Sequence, residues 1–189
     1  MEKTAVQKLA GALKVLVTIT LVCNLVALLL VPGMSLMKGP EELLALTPYE
    51  NPLEVPLRVG IAFFLSLGWV WTAGVYEVVL ALFLLFCGIC TAVILWQGRR
   101  VLGTILTGAP FRAENGVSLR RAAVCCFLIA AAALARVVWG LFYYGSVAPL
   151  LTYNALFVPI FILGGLLCLV MSALFRQAAE LKAENDLTI

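Results

Sequence analysis

Long apolar stretches separated by short polar segments dominate the sequence. A membrane-spanning helix needs about twenty mainly apolar residues, because the hydrocarbon core is roughly 30 Å thick and a helix rises about 1.5 Å per residue. Four stretches meet this requirement, at about 15–31, 78–96, 122–144 and 150–175. The pattern predicts an all-α integral membrane protein, a four-helix bundle that forms one membrane domain over residues 1–189.

Basic residues indicate the orientation of these spans. Ten of the 13 lysines and arginines lie in the N-terminal arm, the segment 97–121 and the tail 176–189. Because Lys and Arg are retained in short cytoplasmic segments, both termini and the 97–121 loop are expected inside. The segment 32–77 then faces outward, and its acidic balance agrees.

Two segments allow a second interpretation. Lysines before the first apolar run also occur in signal peptides, but no small-x-small cleavage site follows it, so we expect an uncleaved span. Residues 59–76 are free of charge and nearly long enough to cross. A crossing there would place the arginine-rich loop outside, so we interpret this stretch as an outer interfacial or re-entrant element.

The composition excludes several classes of function. The chain is 63% hydrophobic and 12% charged, its mean hydropathy is +1.08, and it contains no histidine. A soluble enzyme, a disordered chain and a direct nucleic-acid-binding domain are therefore disfavoured. Without histidine the commonest general base and metal ligand are missing, so we predict a non-enzymatic protein without cofactor or metal.

The six cysteines suggest the main enzymatic alternative. Cys87 and Cys90 have the spacing of a thiol redox motif, as in membrane oxidoreductases that pass electrons to quinones. Every cysteine nevertheless falls within a predicted span, where cysteine commonly serves as a small apolar packing residue. We favour this packing role.

Two ionisable residues lie in or beside the apolar spans. Glu77 opens the second span, and Arg136 lies well inside the third. Such residues are costly in hydrocarbon unless they are paired or hydrated, so they are expected to form an ion pair or to line an outward-facing polar cavity. Arg136 extending to the headgroups is the simpler alternative, and a small transporter or channel subunit that uses the pair is the functional one.

Small residues are frequent in the last two spans. Ala130 to Ala133 and the pair Gly164-Gly165 form patches that permit close helix approach. Packing within the bundle is the favoured explanation, and homo-oligomerisation is the alternative.

The segment 97–121 and the tail carry the most distinctive residues. An apolar stripe over 101–106 predicts a short helix that continues the second span, and Gly108 to Pro110 breaks it. Glu114 to Gly116 is a turn or helix-start signal. The tail is expected to continue the last helix as far as Asn185, and Leu187 to Ile189 favour extended structure that pairs with the loop or a partner.

Both segments also carry a family resemblance. Gly108-Ala109-Pro110-Phe111, Glu114-Asn115, Leu119-Arg120 and the run Glu180 to Ile189 resemble a bacterial family, domain of unknown function 2975. The resemblance implies a small four-span protein of the bacterial inner membrane. It also implies a partner, because genes of the family commonly lie beside one for a small Cro/C1-type helix-turn-helix regulator. It supplies no catalytic residues.

The leading hypothesis is therefore interaction with a cytoplasmic helix-turn-helix regulator. Phe111 would occupy an apolar groove, and the arginines would contact anionic lipid or an acidic partner. The candidate interaction residues are Pro110, Phe111, Arg112, Asn115, Arg120, Arg121, Glu184, Asn185, Asp186, Leu187, Thr188 and Ile189.

Overall fold

The described part of the chain is built from long helices. In the computed structural model, residues 5–36, 74–109 and 111–186 are described. They form α1 (Ala5–Leu36), α2 (Val75–Leu106), α3 (Ala113–Tyr144), a 3-10 helix (Ala148–Leu151) and α4 (Tyr153–Asp186).

All four α-helices are long and apolar enough to span a membrane. They contain 32 to 34 residues, which corresponds to about 50 Å at 1.5 Å per residue. This length exceeds the hydrocarbon core of roughly 30 Å. The all-α, four-span membrane fold predicted from the sequence is confirmed.

The helices extend beyond the predicted apolar spans. The end of α2 includes residues 101–106, as their apolar stripe predicts. Helix α3 begins at Ala113, nine residues before the apolar run that starts at 122. Helix α4 continues one residue past Asn185. Hydropathy detects only the part of a helix that lies in hydrocarbon, whereas the backbone hydrogen bonds continue through polar turns on either side.

The chain divides into two compact units. The first comprises residues 1–24 and 89–189, the second comprises residues 25–88, and the division falls within α1 and α2. Within the second unit α1 and α2 approach closely, since a methyl group placed on Gly88 would lie 2.5 Å from Leu28 Cδ2. The single membrane domain stays a prediction.

In the first unit α3 packs one face against its neighbours. Its buried residues recur every three or four positions and include Ala122, Cys126, Ile129, Ala133, Val137 and Gly140. The neighbouring α4 contributes Gly165, where an added methyl group would lie 2.9 Å from the Phe127 ring. Of the predicted small patches, Ala130, Ala133 and Gly165 are buried within the chain, whereas Ala131 is exposed.

A short turn connects α3 to α4. Gly145 adopts the left-handed conformation with φ of +59°, and its N–H donates to the Leu141 carbonyl at 3.0 Å. After the turn, Pro149 lies against Gly140, where an added methyl group would be 3.2 Å from its ring. The glycines therefore permit both the reversal and the close approach.

Large apolar side chains cover much of the outer surface. Phe142 is 84% exposed and Leu151 is 90% exposed, and similar residues recur along all four helices. An apolar surface of this extent is stable against lipid rather than water, so the bilayer is a partner of this multi-pass membrane protein. Of the predicted outward segment 32–77, residues 37–73 lie outside the described residues, and so does most of the 59–76 stretch.

Candidate functional site

The α2–α3 loop begins with a glycine that ends α2. Gly108 has a φ of +73°; its N–H donates to the Ile105 carbonyl at 3.1 Å, and the Ala109 N–H donates to the Thr104 carbonyl at 3.1 Å. These two bonds form a Schellman motif, which satisfies carbonyls that the helix end leaves free. The break expected over 108–110 is confirmed as far as residue 109; Pro110 lies outside the described residues.

Extended backbone at Arg112 starts α3. Arg112 has φ of −111° and ψ of 137°, and its carbonyl accepts a hydrogen bond from the Asn115 N–H at 3.0 Å. The expected helix start at Glu114 to Gly116 therefore lies in the first turn of α3. The loop between α2 and α3 is short because both helices extend into the predicted 97–121 segment.

Asn115 ties the two helices together. Its side chain is 1% exposed, and Nδ2 donates to the Thr104 Oγ1 of α2 at 2.7 Å. The Thr104 hydroxyl in turn donates to the Val101 carbonyl at 2.7 Å. A buried amide needs such a partner, because an unpaired one costs about 1–3 kcal/mol. Asn115 thus acts inside the protein rather than on its surface.

Gly116 brings α4 against the start of α3. The Ser172 hydroxyl of α4 donates to the Gly116 carbonyl at 2.7 Å, and this bond is buried. A methyl group on Gly116 would lie 3.0 Å from the Ser172 carbonyl oxygen and 2.8 Å from Arg176 Cγ. Only glycine leaves room for this contact between a backbone and a side chain.

Sequence reasoning missed Thr104 and Ser172, and it took Gly116 only as a turn signal. A positional signal exists for Ser172: it lies seven residues after Gly165, on the side of α4 that packs against α3. Which residue of a neighbouring helix a hydroxyl contacts depends on the register between the two helices. Hydrophobic periodicity along one helix does not report that register.

Phe111 packs against its own chain. Its ring centroid lies 6.4 Å from that of Phe175 in α4, with the ring planes tilted by 42°. The side chain is still 52% exposed. Half of the ring therefore anchors the loop to α4, and the other half remains available to a partner.

Charged side chains also lie near the ends of the two helices that the loop joins. Arg100 and Glu114 form an ion pair at 3.7 Å, and both are more than half exposed, so solvent screens the interaction. The candidate residues Arg112, Arg120 and Arg121 are exposed as well. Together with Phe111, these three arginines are here called the loop surface.

The remaining candidate interaction residues lie in the tail, at the end of α4. Glu184 and Asn185 are exposed near the end of α4, and Asp186 is its last residue. Leu187 to Ile189 lie outside the described residues, so their extended structure and strand pairing stay predictions.

Glu77 and Arg136 occupy separate units. Glu77 lies in the first turn of α2, where its carboxylate folds back over Gly74: a methyl group there would be 2.6 Å from Oε2. A negative charge in the first turn is stabilised by the positive end of the helix dipole. Arg136 is half-buried in α3. Their ion pair stays a prediction.

All six cysteines lie in the described part of the chain, and none of them is in a disulfide bond. Cys87 and Cys90 lie one turn apart on α2. Within residues 5–36, 74–109 and 111–186, no cluster of three or more His, Cys, Asp or Glu residues is arranged to hold a metal ion.

Comparison with known proteins identifies one family. The family model described as "Protein of unknown function (DUF2975)" matches residues 45–189. This match covers most of the chain, including the loop, the whole of α3 and the tail. No curated protein and no solved structure matches.

Proposed function

Because the chain belongs to the DUF2975 family of proteins of unknown function, we propose that it is a non-enzymatic interaction protein of the bacterial inner membrane. The α2–α3 loop and the tail of α4 form one cytoplasmic dock. Its partner is a small helix-turn-helix transcriptional regulator, and the membrane bundle anchors the dock or transmits a change of state to it.

The contact between the loop end of α3 and α4 carries this proposal. Ser172 holds the Gly116 carbonyl at 2.7 Å, and Phe175 contacts Phe111 one turn further along α4. The same helix continues into the tail. A displacement of α4 in the membrane would therefore move the loop and the tail together.

The loop surface offers suitable chemistry for an acidic partner. Arg112, Arg120 and Arg121 are exposed, and so is half of the Phe111 side chain. An aromatic anchor next to arginines is the usual composition of a binding hot spot. Anionic lipid headgroups would compete for the same arginines.

The orientation rests on the distribution of charge. Lys8 near the start of α1, the loop arginines and Arg176 all belong to segments rich in basic residues, which are retained in the cytoplasm. Both termini are then inside, where a DNA-binding regulator can reach the loop and the tail. The protein itself does not bind nucleic acid in this scheme.

A pull-down from detergent-solubilised membranes tests the dock. The full chain is the bait, and the prey is a small Cro/C1-type helix-turn-helix regulator, the class of partner that the proposal names. We expect Phe111→Ala and deletion of residues 185–189 each to reduce capture at least tenfold. Phe142→Ala is the matched control, because Phe142 is also exposed but lies at the other end of α3.

Capture that is undiminished in both variants would contradict the dock. A loss that Phe142→Ala reproduces would indicate general damage to the bundle. Crosslinking in native membranes before solubilisation retains weak complexes, so the comparison is made with and without this step.

A further inference from the structure

The start of α1 packs against the end of α2 within the first unit. A methyl group placed on Gly11 would lie 3.7 Å from Leu106 Cδ2, and one placed on Gly103 would lie 3.5 Å from Lys14 Nζ. Because a later residue of α1 meets an earlier residue of α2, the two segments run antiparallel. We call this line of contact, from Gly11 to Lys14 on α1 and from Arg99 to Leu106 on α2, the α1–α2 seam.

Lys14 brings a positive charge into the α1–α2 seam. Its side chain is half-buried, and its ammonium lies over α2 at Gly103, which has no side chain to occupy the space. The neighbouring Leu13 and Leu16 are 45% and 59% exposed on a helix that is apolar enough to span a membrane, so their side chains face lipid. A cation beside lipid is unfavourable unless an anion or water accompanies it.

Arg99 adds a second positive charge on the same side of α2. It lies one turn before Gly103, and residues four apart on a helix have Cβ atoms about 5–6 Å apart on one face. Its guanidinium carbon is 5.9 Å from the centre of the Trp96 ring, which makes a cation–π contact. Trp96 is 57% exposed. The contact therefore holds the guanidinium at the edge of the seam, beside a surface that is open to lipid.

The described part of the chain supplies no carboxylate to these two cations. Neither Lys14 nor Arg99 forms an ion pair there, and the Glu114 carboxylate pairs with Arg100 instead, at 3.7 Å. Two neighbouring positive charges repel each other, and the repulsion is stronger where less water screens it. An anion from outside the chain would relieve this repulsion.

The surroundings of the seam indicate the kind of anion. Exposed apolar side chains flank it, including Leu16 and Val93, and a soluble anion would gain nothing from them. The phosphate of a lipid carries acyl chains that cover such side chains. Tryptophan favours the headgroup level of a membrane, so Trp96 places the seam at the depth of lipid phosphates. Basic sites between membrane helices bind anionic headgroups, and arginine is well suited to phosphate.

We propose that the α1–α2 seam binds the phosphate of an anionic phospholipid through Lys14 and Arg99. The acyl chains lie along the exposed apolar side chains of α1 and α2, and the headgroup links the two helices near the α2–α3 loop. The site uses none of the residues of the loop surface. It therefore stands apart from the proposed dock and is tested without a protein partner.

Native mass spectrometry tests the site. The full chain, purified in detergent and depleted of lipid, is mixed with equal amounts of phosphatidylglycerol and phosphatidylcholine that carry the same acyl chains. We expect phosphatidylglycerol adducts to exceed phosphatidylcholine adducts several-fold, because only the first lipid has a net negative charge. Lys14→Gln and Arg99→Gln should each lower phosphatidylglycerol binding about fivefold. Lys14→Arg keeps the charge and should retain binding.

Two controls locate the site and identify the anion. Lys182→Gln removes the same charge from an exposed position in the tail and should leave binding unchanged. An excess of glycerol phosphate, which is soluble and lacks acyl chains, should displace no lipid. Displacement would overturn the proposal, since the seam would then be a site for soluble anions.

Three further results would overturn the proposal. They are equal adducts of both lipids on the wild-type chain, undiminished binding in Lys14→Gln and Arg99→Gln, and an equal loss in Lys182→Gln. Circular dichroism shows whether each variant is still helical. If Lys14→Gln does not fold, Arg99→Gln and the wild-type comparison of the two lipids decide.

Discussion

Asn115 Nδ2 in the first turn of α3 donates a hydrogen bond of 2.7 Å to Thr104 Oγ1 near the end of α2. The bond closes the short loop between the two helices from the inside. Asn115 is part of the family-like motif, and at 1% exposure it has no surface to offer a partner. Its role is to hold the loop in place, so that neighbouring side chains can be presented outward.

We expect Asn115→Ala to lower the free energy of unfolding by about 1–3 kcal/mol, since it removes a buried amide and leaves Thr104 with its hydrogen bond to Val101 only. Thr104→Val should cost a similar amount. Unfolding by SDS in mixed micelles, followed by tryptophan fluorescence, measures both.

A double-mutant cycle isolates the bond itself. The two losses should be coupled by about 1 kcal/mol, because the residues act through one contact. Additive losses would show that the two side chains contribute independently. The Asn115–Thr104 hydrogen bond would then not be what holds the loop in position.

The close contact at Gly116 leads to a second prediction. Gly116→Ala should destabilise the protein by about 1–3 kcal/mol, since the new methyl group meets the Ser172 carbonyl oxygen at 3.0 Å. Gly98→Ala is the matched control: Gly98 is also helical, and no atom lies within 4 Å of an added methyl group. Alanine should there be neutral or raise stability by up to about 1 kcal/mol. Equal effects at the two sites would contradict the close packing of α3 and α4.

The architecture was largely predictable from the sequence because membrane spans depend on a one-dimensional property, the length of an apolar run. The four spans follow from it, and the break at Gly108 follows from the helix-breaking residues Gly108 to Pro110. The start of α3 follows only in part, because Glu114 to Gly116 were compatible with a turn as well as with a helix start. In the structure this first turn of α3 is supported by Thr104 of α2 and Ser172 of α4. Apolar periodicity does not register such support.

The candidate site was predictable only in part. Phe111 and the arginines stand out by residue type, and the structure shows that all four side chains are exposed. The contact of Ser172 with Gly116 depends on which turns of α4 and α3 face each other. That register is set by the packing of many small residues, and the periodicity along a single helix does not reveal it.

Gln97 offers a test of buried polarity in the bundle. It is 7% exposed, and its Oε1 has no hydrogen-bond partner within the described residues. Burial of an unsatisfied amide oxygen is unfavourable, so Gln97→Met, which conserves the volume, should raise the free energy of unfolding by about 1 kcal/mol. The exposed Gln177→Met is the control and should change little. A loss of stability in Gln97→Met would indicate that a bound water molecule satisfies the oxygen.

Gly108 allows the backbone to be tested apart from packing. Its φ of +73° belongs to the left-handed region, whereas an added methyl group would have Gln7 Nε2 at 4.0 Å as its near neighbour. Any cost of Gly108→Ala therefore comes from conformation, and we expect about 1–2 kcal/mol. Asparagine tolerates this conformation better, so Gly108→Asn should recover part of the loss. If alanine and asparagine were both neutral, the Schellman motif could not be what ends α2, and the end of the helix would have to be set by the contacts of α3.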